Sequence, residues 1–582
     1  VTGHDWVIIA GRNPTALAEF EALFAHRPDW QQKRLTGPAT IFTRLCCPYA
    51  APPDVTDAAI LGTAFPHGGP DARSGNLPNL AWQELRQGSI EIFLRLCWGG
   101  FVALSARSEY TEIIRDPSAA MPCYYAQVPG ALLIGSSVRV LIEAGLKKPA
   151  IGMNLLARSL FRAELPSQET ALVGVQELLP GDCLRIDNGS LSVRQVWSPW
   201  DHTAIDETID FNHHAERLQR TVDHCVAAWS STTHQSLVGV SGGLDSSIVA
   251  ACLAPAAPSP ICLTVSTDDA DGDERRQAHK ICDHLKLSLI EARYDLADIQ
   301  IDRPARPDLP RPTGRLIAQG YNAAVSRVAD RLGADAFFTG NGGDNVFAFS
   351  QSAGAIADRL LHSGPGRDTW RTARDTCRLT GCSLSQAWHS ALRIATSPRR
   401  YRWKPDRGFL HPDILQTLER EPLGHSWLDA PKGSLPGKAA HIAALLRIQR
   451  HLDGTGQMGQ IRVINPLMSQ PIIEACLSIP GWMWCQGGKN RSVAREAFRS
   501  KMPPAITDRI SKGGPSGFGA QIVGSFHNRI VERLLDGHLA EGGIIDRVAL
   551  ERRLTDESPN WALDQVRVLE LLEAEAWIDH WR

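Results

Sequence analysis

Apolar residues in the first two hundred positions fall into short runs broken by Gly, Pro and Asn: "WVIIAG", "GSIEIFLRLCWGGFVALSA", "CYYAQVPGALLIGSS" and "GDCLRIDNGSLSVRQVW". Runs of this length, joined by turn sequences such as "VPGA" and "DNGS", predict strands in hairpins. "ALAEFEALFA" and "VRVLIEAG" carry helical spacing between them. From about residue 208 the pattern changes. "FNHHAERLQRTVDHCVAAW" predicts a helix, "SLVGVSGG" a buried strand, and "LDSSIVAACLA" a helix. "PICLTVST" and "SLIEARYD" predict two further strands around the helix "ERRQAHKICDHLKL", and "IAQGYNAAVSRVADRLG" is a helix leading into the strand "ADAFFTG". Strands alternating with helices predict a parallel α/β sheet. Beyond 350 the pattern is mostly helical. The break at "WSPWDHTAIDETID" divides the chain into 1–205 and 206–582, an α/β protein whose first half is strand-rich and antiparallel.

The length of 582 residues agrees with two domains. Lys plus Arg total 61 against 63 Asp plus Glu, so the net charge of −2 leaves no footprint for nucleic acid or an anionic membrane. The 13 cysteines include no CxxC pair. They predict neither a zinc site nor a disulfide framework, and Cys46, Cys47, Cys262 and Cys476 read as reduced core thiols. No run approaches a membrane span and "VTGHDWVIIAGRNP" is not a signal peptide, so a cytoplasmic location is expected.

The chemistry concentrates in "LVGVSGGLDSSIVAACLA", Leu237 to Ala254. A strand enters Ser241-Gly242-Gly243 and a helix begins at Leu244. The N–H groups freed at that helix start favour an anion, and the glycines let it approach the backbone. Ser241, Ser246 and Ser247 offer hydroxyls. Asp245 faces a phosphate only if it holds Mg²⁺ against it. A Walker loop would supply a lysine here, and this one has none. A plain glycine-rich turn with an ordinary helix start is the alternative reading of Ser-Gly-Gly alone. The second loop, Gly340-Asn341-Gly342-Gly343-Asp344, follows another strand; ligands of parallel sheets sit at the carboxyl ends of strands, so the two loops are expected to face each other with Asp245 and Asp344 sharing Mg²⁺. Arg491, Arg495 and Arg499 are spaced i, i+4, i+8, which by default is a solvated helix face. Lys512 sits in a glycine-rich loop, "RISKGGPSGFG", able to bring a cation to a ligand.

"SGGLDSS" after a strand resembles the pyrophosphate loop of the ATP pyrophosphatases. With the other segments in order, nearly the whole chain resembles the asparagine synthetase family. "RDPSAAMPCYYAQVPGALLIGSSVRVL" and "ALVGVQELLPGDCL" are similar to its glutaminase-type domain. That resemblance implies an Ntn-type α+β sandwich over 1–205, followed by an ATP-pyrophosphatase-type parallel α/β synthetase domain with a helical C-terminal part. Working glutaminases of that type begin with a nucleophilic cysteine. The chain begins Val1-Thr2-Gly3 and its first cysteine is Cys46, so a degenerate glutaminase domain is expected. "TGNGGDN" replaces the family's "SGEGSDE", putting Asn341 and Asn345 where acids stand. "NPLMSQP", "IPGW" and "GGKNRSVAREAF" are similar to the macrolactam synthetases of lasso-peptide biosynthesis.

The resemblance implies adenylation of an Asp or Glu side chain in a ribosomal precursor peptide with ATP and Mg²⁺, then ring closure by the peptide's N-terminal α-amine. It implies a leader peptidase and a leader-binding protein as partners. By position, Ser241, Gly242, Gly243, Asp245, Ser246 and Ser247 hold pyrophosphate, and Leu263 and Val265 flank adenine. Gly340 approaches the ribose, and Asp344 is the second metal-binding acid. Lys512 is the catalytic lysine at the α-phosphate, and Lys489 contacts phosphate. Competing readings are an ammonia-dependent asparagine synthetase, a β-lactam synthetase, a dead binding protein, and an RNA-modifying enzyme using the patch "SPRRYRWKP".

Overall fold

The computed structural model describes residues 4–11, 13–35, 39–52, 57–67, 77–187, 190–269, 272–397, 401–453, 461–510, 513–555 and 561–582. Twelve strands precede the long helix Phe211–Ser230 among these residues: β1 (Trp6–Ala10), β2 (Trp30–Arg34), β3 (Ala39–Arg44), β4 (Tyr49–Ala50), β5 (Ala58–Pro66), β6 (Cys97–Ala106), β7 (Tyr110–Arg115), β8 (Tyr124–Val128), β9 (Ala131–Gly135), β10 (Val175–Glu177), β11 (Asp182–Asp187) and β12 (Ser190–Gln195). They form two antiparallel six-stranded sheets, ordered β10-β8-β9-β1-β3-β2 and β12-β11-β7-β6-β5-β4. The expected hairpins are present. β8 and β9 turn at Gly130, whose φ of 80° is open to glycine at no steric cost, and β11 pairs with β12 from Asp187 opposite Ser190.

Strand burial explains the sequence pattern. Trp6, Ile8, Ile41 and Ile134 of one sheet meet Leu61, Val102, Leu104 and Ile113 of the other to make the inner core. The outer faces are covered as well. Val7, Ile9 and Phe42 share a core with Leu569, Leu572 and Trp577 of the last helix, Trp561–Trp581. Ile60, Phe101 and Ala103 pack with Val222, Val226 and Trp229 of the helix Phe211–Ser230. Strands covered on both faces read as continuous apolar runs rather than alternations. β12, at a sheet edge, keeps the alternating exposure.

The third sheet is parallel throughout: β13 (Ser236–Gly239), β14 (Ile261–Ser266), β15 (Leu289–Arg293), β16 (Ala336–Phe338) and β17 (Arg462–Ile464), in the order β15-β14-β13-β16-β17. Chain order reverses between β13 and β16, and a crevice opens at the carboxyl ends of strands on either side of such a switch. The connection from β16 to β17 is a helical excursion that includes Gly354–Ser363, Arg367–Thr380, Leu384–Ala395 and Pro436–Asp453. None of the 13 cysteines forms a disulfide. Cys47, Cys262 and Cys476 are buried as expected, and burial pushes the Cys47 thiol up to about 12. Cys46 differs: it is exposed, in the turn that follows β3. No helix among the described residues is long and apolar enough to cross a membrane.

Candidate functional site

β13 delivers Ser241-Gly242-Gly243 to the start of the helix Leu244–Leu253, where Gly243 is the cap and supplies no side-chain acceptor for the free N–H groups. Gly242 has φ 67°, and a Cβ there would lie 2.5 Å from the Gln277 backbone. Ser241 Oγ accepts from the Gly243 N–H at 3.3 Å and sits 3.2 Å from Ser246 Oγ, so both hydroxyls turn into the loop. The loop after β16 closes onto this helix start. A Cβ on Gly340 would lie 2.4 Å from the Ser246 nitrogen, and one on Gly343 would lie 2.4 Å from the Asp245 carboxyl carbon. Only glycine permits that approach.

One guanidinium joins the two loops. Arg491 Nη1 donates to both Asp245 oxygens at 3.0 Å and to Asp344 Oδ1 at 2.5 Å. Arg491 is not on a solvated helix face. It precedes the helix Ser492–Ala497 in a left-handed conformation, φ 52°, and is buried. Arg495 is buried too, its guanidinium donating to the carbonyls of Asn490 and Thr507 and to Asn490 Oδ1, and burial together with the Arg491 charge lowers its pKa to about 10. Of the three, only Arg499 is exposed. The i, i+4 spacing misleads because the helix starts one residue after Arg491, and the left-handed turn there swings its side chain inward.

These elements wall a cavity of about 580 Å³ lined by Ser241, Gly243, Asp245, Ser246, Leu263, Val265, Gly340 and Asn341, with Arg491 at its edge. Asp344 reaches it through Arg491 rather than lining it. Gly242 contributes its carbonyl, which accepts from Arg509 Nη1 at 3.2 Å; Arg509 also pairs with Glu274, and Glu274 accepts from the Gly513 N–H at 3.1 Å. This brings Ile510 and Gly513 to the cavity wall. Lys512, between them, lies outside the described residues.

Two other expected residues are elsewhere. Ser247 is fully buried on the helix face turned from the cavity. Lys489 pairs with Asp508 at 2.6 Å on the surface, where that carboxylate outcompetes a site it does not reach. Asn345, one of the two amides in the second loop, donates to the Ala444 carbonyl at 2.8 Å and pins the helix Pro436–Asp453 to the loop. The sequence reading missed Arg491 as a site residue, together with Glu274, Arg509, Thr339 and His451, all of which line the cavity.

Asp245 and Asp344 converge on one cation, the Arg491 guanidinium, and paired carboxylate oxygens are the donor set that Mg²⁺ takes beside phosphate. The residues therefore fit a magnesium ion. No cluster of three or more His, Cys, Asp or Glu occurs among the described residues.

The asparagine synthase family model matches residues 217–579, more than half the chain and all of the parallel sheet and its loops. The chain belongs to the asparagine synthase family. It is an ATP-dependent carbon–nitrogen ligase of that family, and the two glycine loops belong to the matched region. No curated protein matches the chain. Among solved structures it is similar to the glutamine phosphoribosylpyrophosphate amidotransferase from B. subtilis complexed with ADP and GMP, at 11% identity over 58% of this chain and 90% of that one, with a TM-score of 0.23. The "allosteric regulatory enzyme of purine biosynthesis" is similar at 10% identity over 58% and 84%, with a TM-score of 0.21. The fold and activity of this asparagine synthase family member rest on its sheets and the family match, and not on likeness of that order.

Proposed function

We propose that this asparagine synthase family member is a macrolactam synthetase, which adenylates an Asp or Glu side chain of a ribosomal precursor peptide and closes a ring with the peptide's own α-amine. The observation that carries this reading is the mouth of the cavity. Ile510 is 78% exposed and Val566 63% exposed, with Ile317, Leu316, Tyr294 and Leu569 deeper along the wall. Exposed apolar side chains grouped at the rim of a polar site fit an extended peptide, whereas free aspartate and ammonia leave them without use.

In this reading a peptide carboxylate oxygen attacks the α-phosphorus of ATP, and the bond to the bridging oxygen of pyrophosphate breaks. Ser241, Ser246 and the N–H groups at the start of the helix Leu244–Leu253 hold the departing pyrophosphate, with Gly242 and Gly243 allowing its approach. Leu263 and Val265 flank adenine at the end of β14, and Gly340 lies against the ribose. Asp245 and Asp344 would hold Mg²⁺, which neutralises phosphate charge when bound. Lys512 is assigned the α-phosphate by family resemblance. The α-amine then adds to the acyl carbon, AMP leaves with the bonding pair, and the amine gives up its proton.

Asn341 lines the cavity where the family carries an acid, and an amide accepts no proton from an ammonium. An α-amine has a reference pKa of about 7.7–8.0, so about a tenth to a fifth of it is neutral at pH 7. Holding it beside the acyl carbon at high effective concentration compensates for the missing acid. A peptidase that exposes the amine and a leader-binding protein are the partners this reading requires.

The test is incubation with ATP, Mg²⁺, a candidate precursor and its peptidase. Loss of one water from the peptide by mass, with AMP and pyrophosphate in equal amounts, is the expected outcome. Formation of asparagine from aspartate and ammonia with no peptide product would replace the proposal with the ammonia-dependent reading.

A further inference from the structure

The seat between Asp245 and Asp344 is filled by a side chain of the protein itself. Arg491 donates to three carboxylate oxygens at 2.5 to 3.0 Å, from a residue almost wholly withdrawn from solvent. Its backbone is held in a left-handed conformation that a non-glycine residue adopts at a cost, and such strain persists only where the surroundings enforce it. The surroundings here are specific. Arg495 clamps both the carbonyl and the side chain of Asn490, fixing the chain immediately before Arg491. The guanidinium is held by the two aspartates, by Asn490 Oδ1 at 3.4 Å and by the face of the Phe349 ring, 5.4 Å from its centroid. The backbone is therefore anchored by groups other than those that hold the charged tip.

Resting on the reading of Asp245 and Asp344 as metal carboxylates, we infer that Arg491 is a placeholder cation that keeps the metal seat closed until nucleotide arrives. Mg²⁺ binds carboxylate oxygens at about 2.0–2.1 Å in octahedral geometry and gives up its water reluctantly. A guanidinium that already takes three of the four carboxylate oxygens competes with it for their lone pairs, and two cations that close repel. Free metal must displace Arg491 into a cavity whose other lining acid, Glu274, is already paired with Arg509. A triphosphate changes that balance, because it brings the metal and a new anionic partner for the guanidinium together. Arg491 then moves from carboxylate to phosphate as the metal takes its place. Metal binding becomes dependent on nucleotide, and an empty site neither loads a metal alone nor leaves the buried Asp245 and the half-buried Asp344 repelling each other.

The experiment is titration of the full chain with Mn²⁺, followed by electron paramagnetic resonance, with and without a non-hydrolysable ATP analogue. Wild type is expected to bind Mn²⁺ at least tenfold more tightly with the analogue than without it. Arg491→Ala is expected to bind Mn²⁺ without nucleotide at least tenfold more tightly than wild type does. Thermal melting gives a second readout: Mn²⁺ alone should raise the melting temperature of Arg491→Ala and leave wild type unchanged. Arg491→Gln, which keeps polar contacts but no charge, serves if the alanine variant does not fold, with the same gain expected. Equal Mn²⁺ affinity of wild type with and without nucleotide overturns the inference, as does absence of a gain in both variants. Wild type failing to bind Mn²⁺ even with the analogue would instead remove the metal reading of the two aspartates.

Discussion

Two buried clusters of arginine and acid occupy this molecule, and by pairing alone they look alike. In the first, Arg115 Nη1 donates to Glu177 at 2.8 Å, and Arg311 pairs with Glu177 at 2.5 Å and with Asp453 at 2.6 Å. Arg115 and Glu177 belong to the antiparallel half, Arg311 and Asp453 to the other, so the cluster welds the halves. Burial pushes Glu177 up, but the Arg311 and Arg115 charges more than offset this and hold its pKa below the usual carboxylate range. Two cations there meet two anions, and Arg115 spends its other donors on the carbonyls of Met121 and Leu178. In the second cluster one guanidinium serves two carboxylates, beside glycines whose missing side chains let two loops touch and beside a cavity of nucleotide scale. Burial and ion pairing do not separate structure from function here. Charge balance, and the glycines around it, do.

The sharpest way to break the comparison is Asp344→Asn, which keeps shape and removes charge. ATP–pyrophosphate exchange should fall by about 100-fold or more while the circular dichroism spectrum is unchanged. Retained exchange would make the site a second weld. The reciprocal change, Arg311→Leu, leaves Glu177 and Asp453 buried without their shared partner. It should cost about 3–5 kcal/mol of stability in urea denaturation, with exchange per folded molecule preserved. Gly340→Ala probes the contact between the loops. A methyl group 2.4 Å from the Ser246 nitrogen forces them apart, and nucleotide use should weaken by about tenfold, read as the ATP concentration giving half-maximal exchange.

The smallest effect concerns acid. His441, on the helix Pro436–Asp453, meets the Val346 carbonyl at 2.9 Å through Nε2 and so supports the segment that carries Asp344. Burial first, and the Lys438 charge second, lower its pKa to about 3. The unfolded chain therefore takes up this proton before the folded one does. Its contribution to stability is complete above about pH 6.5 and is lost as pH falls toward 3. His441→Gln, which can still donate but does not titrate there, should flatten the decline of melting temperature between those limits; an unchanged slope would remove His441 from the support of this loop.

Much of this was legible in the chain itself. The alternation of apolar runs and helices gave the parallel sheet, and the strings "SGGLDSS" and "TGNGGD" gave two facing loops, because a glycine run after a buried strand leaves few conformations open. Arg491 was not legible. Its role depends on a left-handed backbone at a residue with no local signature, in a sequence whose spacing suggests an exposed helix. Lys489 shows the reverse failure: a cation in a glycine-rich segment invites a phosphate role, and a neighbouring acid, Asp508, decides otherwise. The strand β17 carries only three residues and owes its place to pairing with β16 rather than to its own pattern.

That pairing has a consequence for how the molecule can change. β16 and β17 lie side by side in register, Ala336 opposite Arg462 through Phe338 opposite Ile464, and the entire helical excursion leaves from one and returns to the other. A loop whose two ends are fixed on neighbouring strands can be lengthened, shortened or rewritten at small entropic cost, without re-registering the sheet beneath it. The sheet that carries the nucleotide loops and the excursion between two of its strands are thus free to diverge at different rates. A lineage can remodel the excursion and keep the sheet that carries its nucleotide loops intact.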